Sequence, residues 1–372
     1  MPLRKTLILD IIVLLICITI VSFQDNQLYE KSYGVYSQDS INYTKSMVGD
    51  NKEPYISAYK QLISLADKAL QEDSNPTPFL RIPPVYENTQ GHINASRPLV
   101  HDAYRAFVLS IAWKLTDEKK YSSKAEQILD AWAENNKLIS HREDAPLVSA
   151  YGGVGLINAA LLLKENKSWN QSNFRQWVEY VYLPAVSVAR NTENNWADWG
   201  NLASLVSYSY LDRKKDFQKE IDYTKFLIGS QIGIDGEMVK EISRKENGMF
   251  YTYFALAPLT QSLYVICNET GLNLFNVKTS EGLQVKKALD YYYYFVEHPN
   301  EWPHYKGADL NKPNKYWPSS LYEAMSGVYP QSDFDASLKR NQPILGGYLT
   351  IEPHHIAWNF PTLMKPRLND SP

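Results

Sequence analysis

Cysteine is almost missing from this chain. Only two of its 372 residues are cysteine: Cys17, in an apolar run near the start, and Cys267, alone in the remainder. Once that run is removed no intramolecular disulfide is available, and there is no cysteine-based metal site. Cys267 follows "SLYVI" and reads as a small buried hydrophobe. Histidine is scarce as well, with 7 residues, and neither His-x-x-x-His nor HExxH occurs, so spacing gives no support to a metal centre. No Gly-rich phosphate loop or Walker-type stretch is present, and no cofactor is expected. The net charge is only −3, which excludes the basic field of a nucleic-acid binder. An anionic polymer would have to be met by locally placed Arg and Lys. Strand-type alternation and βα units are also wanting.

Aromatic residues are abundant instead. The 27 Tyr and 9 Trp offer flat apolar faces with a polar edge, suited equally to sugar rings and to buried contacts. The chain starts "MPLRKTLILDIIVLLICITIVSFQDNQ", with Arg4 and Lys5 ahead of an apolar run from Leu7 to Val21 that Asp10 interrupts. That run is short for a membrane span and fits a secretory signal. Lacking a small-x-small cleavage site, residues 1–24 are expected to be a signal peptide or a signal anchor. The protein is then secreted, periplasmic or at the cell surface, and touches a membrane only through this segment if it stays uncleaved.

The remainder reads as helices joined by short connections. "PYISAYKQLISLADKALQ" has helical spacing, "NPTPFLRIPPVYEN" is a Pro-punctuated loop, and "HDAYRAFVLSIAWKLTDEKKYSSKAEQILDAWAENNK" makes two helices broken at "TDEKK". "GGVGLINAALLLKEN", "NFRQWVEYVYLPAVSVA", "NLASLVSYSYL", "DFQKEIDYTKFLIGSQI", "FYTYFALAPLTQSLYVICNETG" and "SEGLQVKKALDYYYYFVEH" continue the series. The Pro- and Gly-rich part after "PNEWPHYKG" is expected to cover one end of the array. The fold class is all-α, an irregular stack of helical hairpins.

Two stretches hold residues suited to chemistry. In "RNTENNWADWGNLASL", Asn194, Asn195, Trp196, Asp198 and Trp199 sit just before a helix. Asn can hydrogen-bond a carboxylate and indoles can stack on sugars, while an Asn cap over buried Trp is the plainer alternative. In "EISRKENGMFYTYFAL", Glu241, Arg244 and Tyr251 are spaced by three and then seven. Asn247-Gly248 signals a break, so Glu241 and Arg244 are expected on a loop folded back over a helix that starts near Tyr251. Arg244 then lies close to the Tyr251 phenol. Glu241 orients Arg244 by a salt bridge, or stays protonated against an anionic substrate.

The order Asn194-Asn195-Trp196, Trp199, Asp235-Gly236, Glu241, Arg244, Tyr251 and "FAL" at Phe254 to Leu256 resembles the alginate lyase family of polysaccharide lyases. The similarity runs from about His101 to Gly271. It implies an incomplete (α/α) toroid over residues 25–372, acting as a monomer on an anionic, uronate-containing polysaccharide by β-elimination. It implies that Tyr251 transfers protons, that Arg244 and Asn195 hold and neutralise the uronate, and that Asn194, Trp196, Trp199, Glu241 and Tyr253 bind substrate. Alginate-specific members carry His where this chain has Trp196. Trp can neither neutralise a carboxylate nor take a proton, so the base and the uronate polymer (alginate or a relative such as glucuronan) stay open.

These residue types suit the chemistry. Removing the proton at C5 builds charge beside a carboxylate that is already negative, and donors such as Asn195 and Arg244 stabilise it. The leaving oxygen at C4 needs a proton, which a neutral Tyr supplies. A Tyr acting as base must be ionised, and Arg244 and a helix N-terminus would lower its pKa. A glycoside hydrolase on a similar barrel would instead need two carboxylates, drawn from Asp198, Asp235, Glu237 and Glu241. A non-catalytic carbohydrate binder is the third alternative. The segment "DYYYYFVEHPNEWPHYKG" could line a groove through Tyr291 to Tyr294, Trp302 and His304.

Overall fold

The computed structural model describes residues 31–279, 282, 284–313, 317–330, 334, 342–346 and 355–368; the N-terminal segment 1–24 and His354 lie outside them. The helical periods of the sequence become α1 (Gln38–Gly49), α2 (Tyr55–Ala69), α3 (Thr89–Thr116), α4 (Lys119–Asn135), α5 (Ala145–Leu163) and α6 (172–190). They continue as α7 (Asn195–Tyr210), α8 (Lys214–Gln231), α9 (Gly248–Thr270), α10 (Val285–Glu297), α11 (Ser319–Ser326) and α12 (Pro361–Met364). Two residues of β1 (Phe79–Leu80) pair in parallel with two of β2 (Leu138–Ile139).

The helices form two rings. α3 packs on α5, α5 on α7 and α7 on α9, making an inner wall, while α4, α6 and α8 lie outside against α3, α7 and their neighbours. Burial follows this arrangement. α5 and α7 are enclosed almost throughout, so they are apolar on nearly all sides. α4 buries only a stripe through Tyr121, Ala125, Ile128, Leu129 and Trp132, as an amphipathic outer helix does. This is the all-α incomplete toroid expected from the sequence.

Close approach of the rings depends on a missing side chain at Gly200. A Cβ there would lie 2.2 Å from the backbone nitrogen of Arg190 and 2.5 Å from its Cα. Backbone cannot yield as a side chain can, so α6 and α7 would have to separate. Gly200→Ala is expected to destabilise the fold by about 1–3 kcal/mol, as overpacking does; a lowered urea midpoint at unchanged slope would register it, and an unchanged midpoint would refute it.

The C-terminal segment does more than cover one end. His355 Nε2 and the Tyr253 hydroxyl on α9 are 2.8 Å apart. The Ile356 N–H donates to the Tyr151 carbonyl on α5 at 2.9 Å, and Trp358 Nε1 donates to Thr260 Oγ1 on α9 at 2.9 Å. The Tyr36 hydroxyl, just before α1, donates to the Asn359 carbonyl at 2.9 Å, and Thr44 on α1 donates to the Leu363 carbonyl. The segment therefore threads across the inner helices and meets the start of the described chain.

Candidate active site

Three stretches meet at the N-terminal ends of α7 and α9. The first is the loop after β1. It is tied down by Asp144, whose Oδ2 accepts from the Val85 N–H at 2.8 Å and lies 3.1 Å from His92 Nδ1. That nitrogen also lies 3.0 Å from the Pro83 carbonyl. Two acceptors face it, so Nδ1 carries its hydrogen. Arg81 and Glu143 add a two-pronged ion pair at 2.9 and 2.8 Å. The loop so anchored holds Tyr86 with 70% of its surface exposed, its hydroxyl in a short contact with that of Tyr251.

The second stretch is the start of α7. Asn194 caps it, its side chain accepting from the Trp196 N–H at 3.1 Å, so the plainer alternative holds for this residue. Asn195, the next residue, is 1% exposed. Its backbone N–H donates to Glu241 Oε1 at 2.7 Å, and its Nδ2 lies 3.1 Å from Oε1 and 3.0 Å from Oε2. Trp196 is half-buried against the core.

The third stretch runs from the end of α8 to α9. Its Asp235-Gly236 turn needs glycine: φ is +101° at Gly236, and a Cβ would meet the Lys287 carbonyl at 2.6 Å. Glu241 and Arg244 form one turn, the Arg244 N–H donating to the Glu241 carbonyl at 3.0 Å. α9 then starts at Gly248, directly after a short 3-10 turn at Lys245–Asn247. The Asn-Gly pair thus marks the entry to the helix, three residues ahead of Tyr251.

The expected salt bridge from Glu241 to Arg244 is not formed. Glu241 is spent on Asn195 instead, both of its oxygens facing that residue's N–H groups. Arg244 lies over the Tyr251 ring, its guanidinium carbon 4.2 Å from the centroid, and its charge acts on the hydroxyls of both Tyr86 and Tyr251. Phe250 and Phe254 flank the same ring at 5.4 and 6.3 Å. Burial, followed by the Tyr86 hydrogen bond, pushes the Tyr251 hydroxyl above its ordinary pKa, and Arg244 offsets this only in part. The net shift is opposite to the lowering expected from sequence.

Two other expected binding residues lie in the core. Trp199 is fully buried, packed on Tyr151, Phe254 and His355 with centroids 6.1, 5.0 and 5.2 Å away. Tyr253 is fully buried as well and points to His355, away from Tyr251. An enclosed ring has no face to offer a sugar. Asp198, one turn along α7 from Asn195, is also enclosed; burial and then the Glu241 charge push its carboxyl well above the usual range. Burial raises Glu241 too, while the N–H groups of Asn195 and the Arg244 charge oppose that rise; its two oxygens accept from Asn195 as a carboxylate does. With both carboxyls sealed in, they are not the water-activating pair of a hydrolase.

Tyr86 escaped sequence reasoning. Its only signal is a large aromatic in a Pro-punctuated loop. The later aromatic run divides by burial: Tyr292 and Trp302 are enclosed, and Tyr294 is exposed. Tyr291 and His304 pair at 2.7 Å, with burial pushing Tyr291 up to about 12 and His304 down.

A family model described as alginate lyase matches residues 49–302, a longer stretch than the motifs alone delimit. None of the curated proteins matches this chain. Among solved structures, an alginate lyase from Bacteroides ovatus is similar at a TM-score of 0.66 and 16% identity, over 83% of this chain and 95% of that one. Alginate lyase A1-III from Sphingomonas species A1 is similar at 0.67 and 13%, over 92% and 98%. A Tyr-to-Phe variant of alginate lyase A1-III complexed with a tetrasaccharide gives 0.68 and 15%, over 91% and 97%. At these identities the likeness to solved structures is one of fold.

Proposed function

The chain belongs to the alginate lyase family, and on that premise we propose that it cleaves a polyuronate by syn β-elimination, with Tyr251 moving the proton and Arg244 and Asn195 meeting the uronate carboxylate. As a member of the family it is a polysaccharide lyase with an anionic polysaccharide as substrate. The observation that carries the finer reading is the contact between the Tyr251 and Tyr86 hydroxyls beneath the Arg244 guanidinium.

The ionised Tyr251 oxygen takes the proton from C5. The C5–H electron pair forms the C4–C5 double bond, the C4–O4 bond breaks, and the proton now on Tyr251 passes to O4. Charge that develops on the uronate carboxylate is met by Arg244 and by an N–H of Asn195. One oxygen can serve both ends only if H5 and O4 share a face of the ring. D-mannuronate and D-glucuronate meet that condition. L-guluronate, the C5 epimer of D-mannuronate, has them on opposite faces. Trp196 supports this preference, since an indole cannot supply a base from the other side.

The test is ultraviolet absorbance of the protein, freed of its N-terminal segment, on polymannuronate, glucuronan and polyguluronate. Absorbance is expected to rise on polymannuronate, glucuronan or both, and far more slowly on polyguluronate. Fastest cleavage of polyguluronate would overturn the syn assignment, and reducing ends without absorbance would mark a hydrolase. We also infer that residues 1–24 act as an export signal, which would bring the protein to a polyuronate outside the cytoplasm.

A further inference from the structure

Asn195 has two orientations open to its side-chain amide, and only one is compatible with its neighbour. Its nitrogen lies almost equally far from both oxygens of Glu241, at 3.1 and 3.0 Å. Two oxygens of one carboxylate subtend a narrow wedge at that distance, whereas the two hydrogens of an amide diverge widely. One hydrogen therefore serves both oxygens and the other is uncommitted. Asn195 Oδ1 is buried and has no hydrogen-bond partner among the described residues. Turned end for end, the amide would press Oδ1 against the carboxylate, acceptor on acceptor at a buried position.

We propose that Glu241 is a positioning residue of the elimination: its carboxylate fixes the Asn195 amide so that the free N–H is always the group presented to the uronate, and Glu241 itself does not touch substrate. This rests on the role given to Asn195 above. The groups facing Glu241 are Asn195 and Asp198 from α7 and Arg244 from its own turn. Burial pushes both carboxyls up, and the N–H groups of Asn195 and the Arg244 guanidinium favour the charged form of Glu241. Protonating Glu241 would remove the demand for a donor and release the amide to turn.

A merely structural alternative exists, because the same carboxylate also accepts the Asn195 backbone N–H at the start of α7. A double-mutant cycle separates the two. Glu241→Gln keeps the shape and one acceptor oxygen but can face either end of the amide. On the polymer that the wild type cleaves, it is expected to lower kcat by about tenfold, approaching the roughly hundredfold of a lost oxyanion donor, with little change in KM. In an Asn195→Ala background the same substitution should cost nothing further. Multiplying losses would overturn the proposal. Full kcat in Asn195→Ala alone would instead sink the role of Asn195, and the proposal with it.

Should Glu241→Gln fail to fold, the pH profile decides. Beyond the gradual fall that Tyr251 ionisation imposes on both proteins, the wild-type kcat is expected to show an extra acid-side drop with a midpoint above the ordinary carboxylate range. That extra drop should be missing from Asn195→Ala. The same extra drop in both proteins would overturn the proposal.

Discussion

Tyr251→Phe is expected to lower kcat by about 10³- to 10⁴-fold while KM and stability hardly change. The substitution removes one oxygen and leaves the ring. Phe in its place still packs on Phe250 and Phe254 and still lies under Arg244, so the groove keeps its shape. What disappears is the atom that, in the proposed reaction, takes the C5 proton and returns it to O4. The wild-type pH profile carries a second signature. Burial and Tyr86 raise the pKa of the Tyr251 hydroxyl, and the reacting form is the ionised one. Turnover should thus climb with pH beyond neutrality, as the ionised fraction grows, and the variant should lose that slope. Steady-state absorbance on the cleaved polymer measures both, and a variant retaining a tenth of wild-type kcat would remove Tyr251 from the chemistry.

Arg244→Ala should cost about 10²- to 10³-fold in kcat/KM. Two losses combine. In the proposed reaction the guanidinium is the charge that meets the uronate carboxylate, and it also offsets part of the upward shift of Tyr251. Arg244→Lys is expected to recover little. A Lys ammonium brings the charge, but not the flat fork that stacks on a phenol ring. Near-complete recovery in Arg244→Lys would show that a point charge suffices, and would take from the stacked geometry the importance given to it here. Both Arg244 variants are compared with the wild type at matched urea midpoints, so that lost folding is not mistaken for lost catalysis.

The helical array was legible because each hairpin buries a stripe at helical spacing, and periodicity records that directly. The break at "TDEKK" is the left-handed Asp117, with φ of 61°, and a short polar segment after an apolar helix announces it. Order along the chain also brought Asn195, Arg244 and Tyr251 to one place. Partner choice was not legible. Glu241 precedes Arg244 by three residues, a spacing that suggests an ion pair, yet the turn aims the carboxylate at the end of another helix. Nothing local encodes that helix. Trp199 and Tyr253 misled for a related reason: a ring beside a catalytic stretch is as easily its backing as its surface, and composition does not separate the two. Tyr86 meets Tyr251 across 165 residues, from a loop with no period to read.

The thread of residues 355–360 across the inner helices has a consequence for timing. Tyr253 shares α9 with Tyr251, and its hydroxyl is backed by His355; Tyr151 and Thr260 are bonded by Ile356 and Trp358. A ribosome delivers this chain from the other end. The groups of the candidate site, from Tyr86 to Tyr251, exist long before the residues that brace them are made. Until residues 355–360 arrive and dock, the toroid is a ring without its keystone. The enzyme therefore gains its working geometry only after that segment is made, and a chain halted before it would carry the groups of the candidate site and still lack the scaffold that sets them against one another.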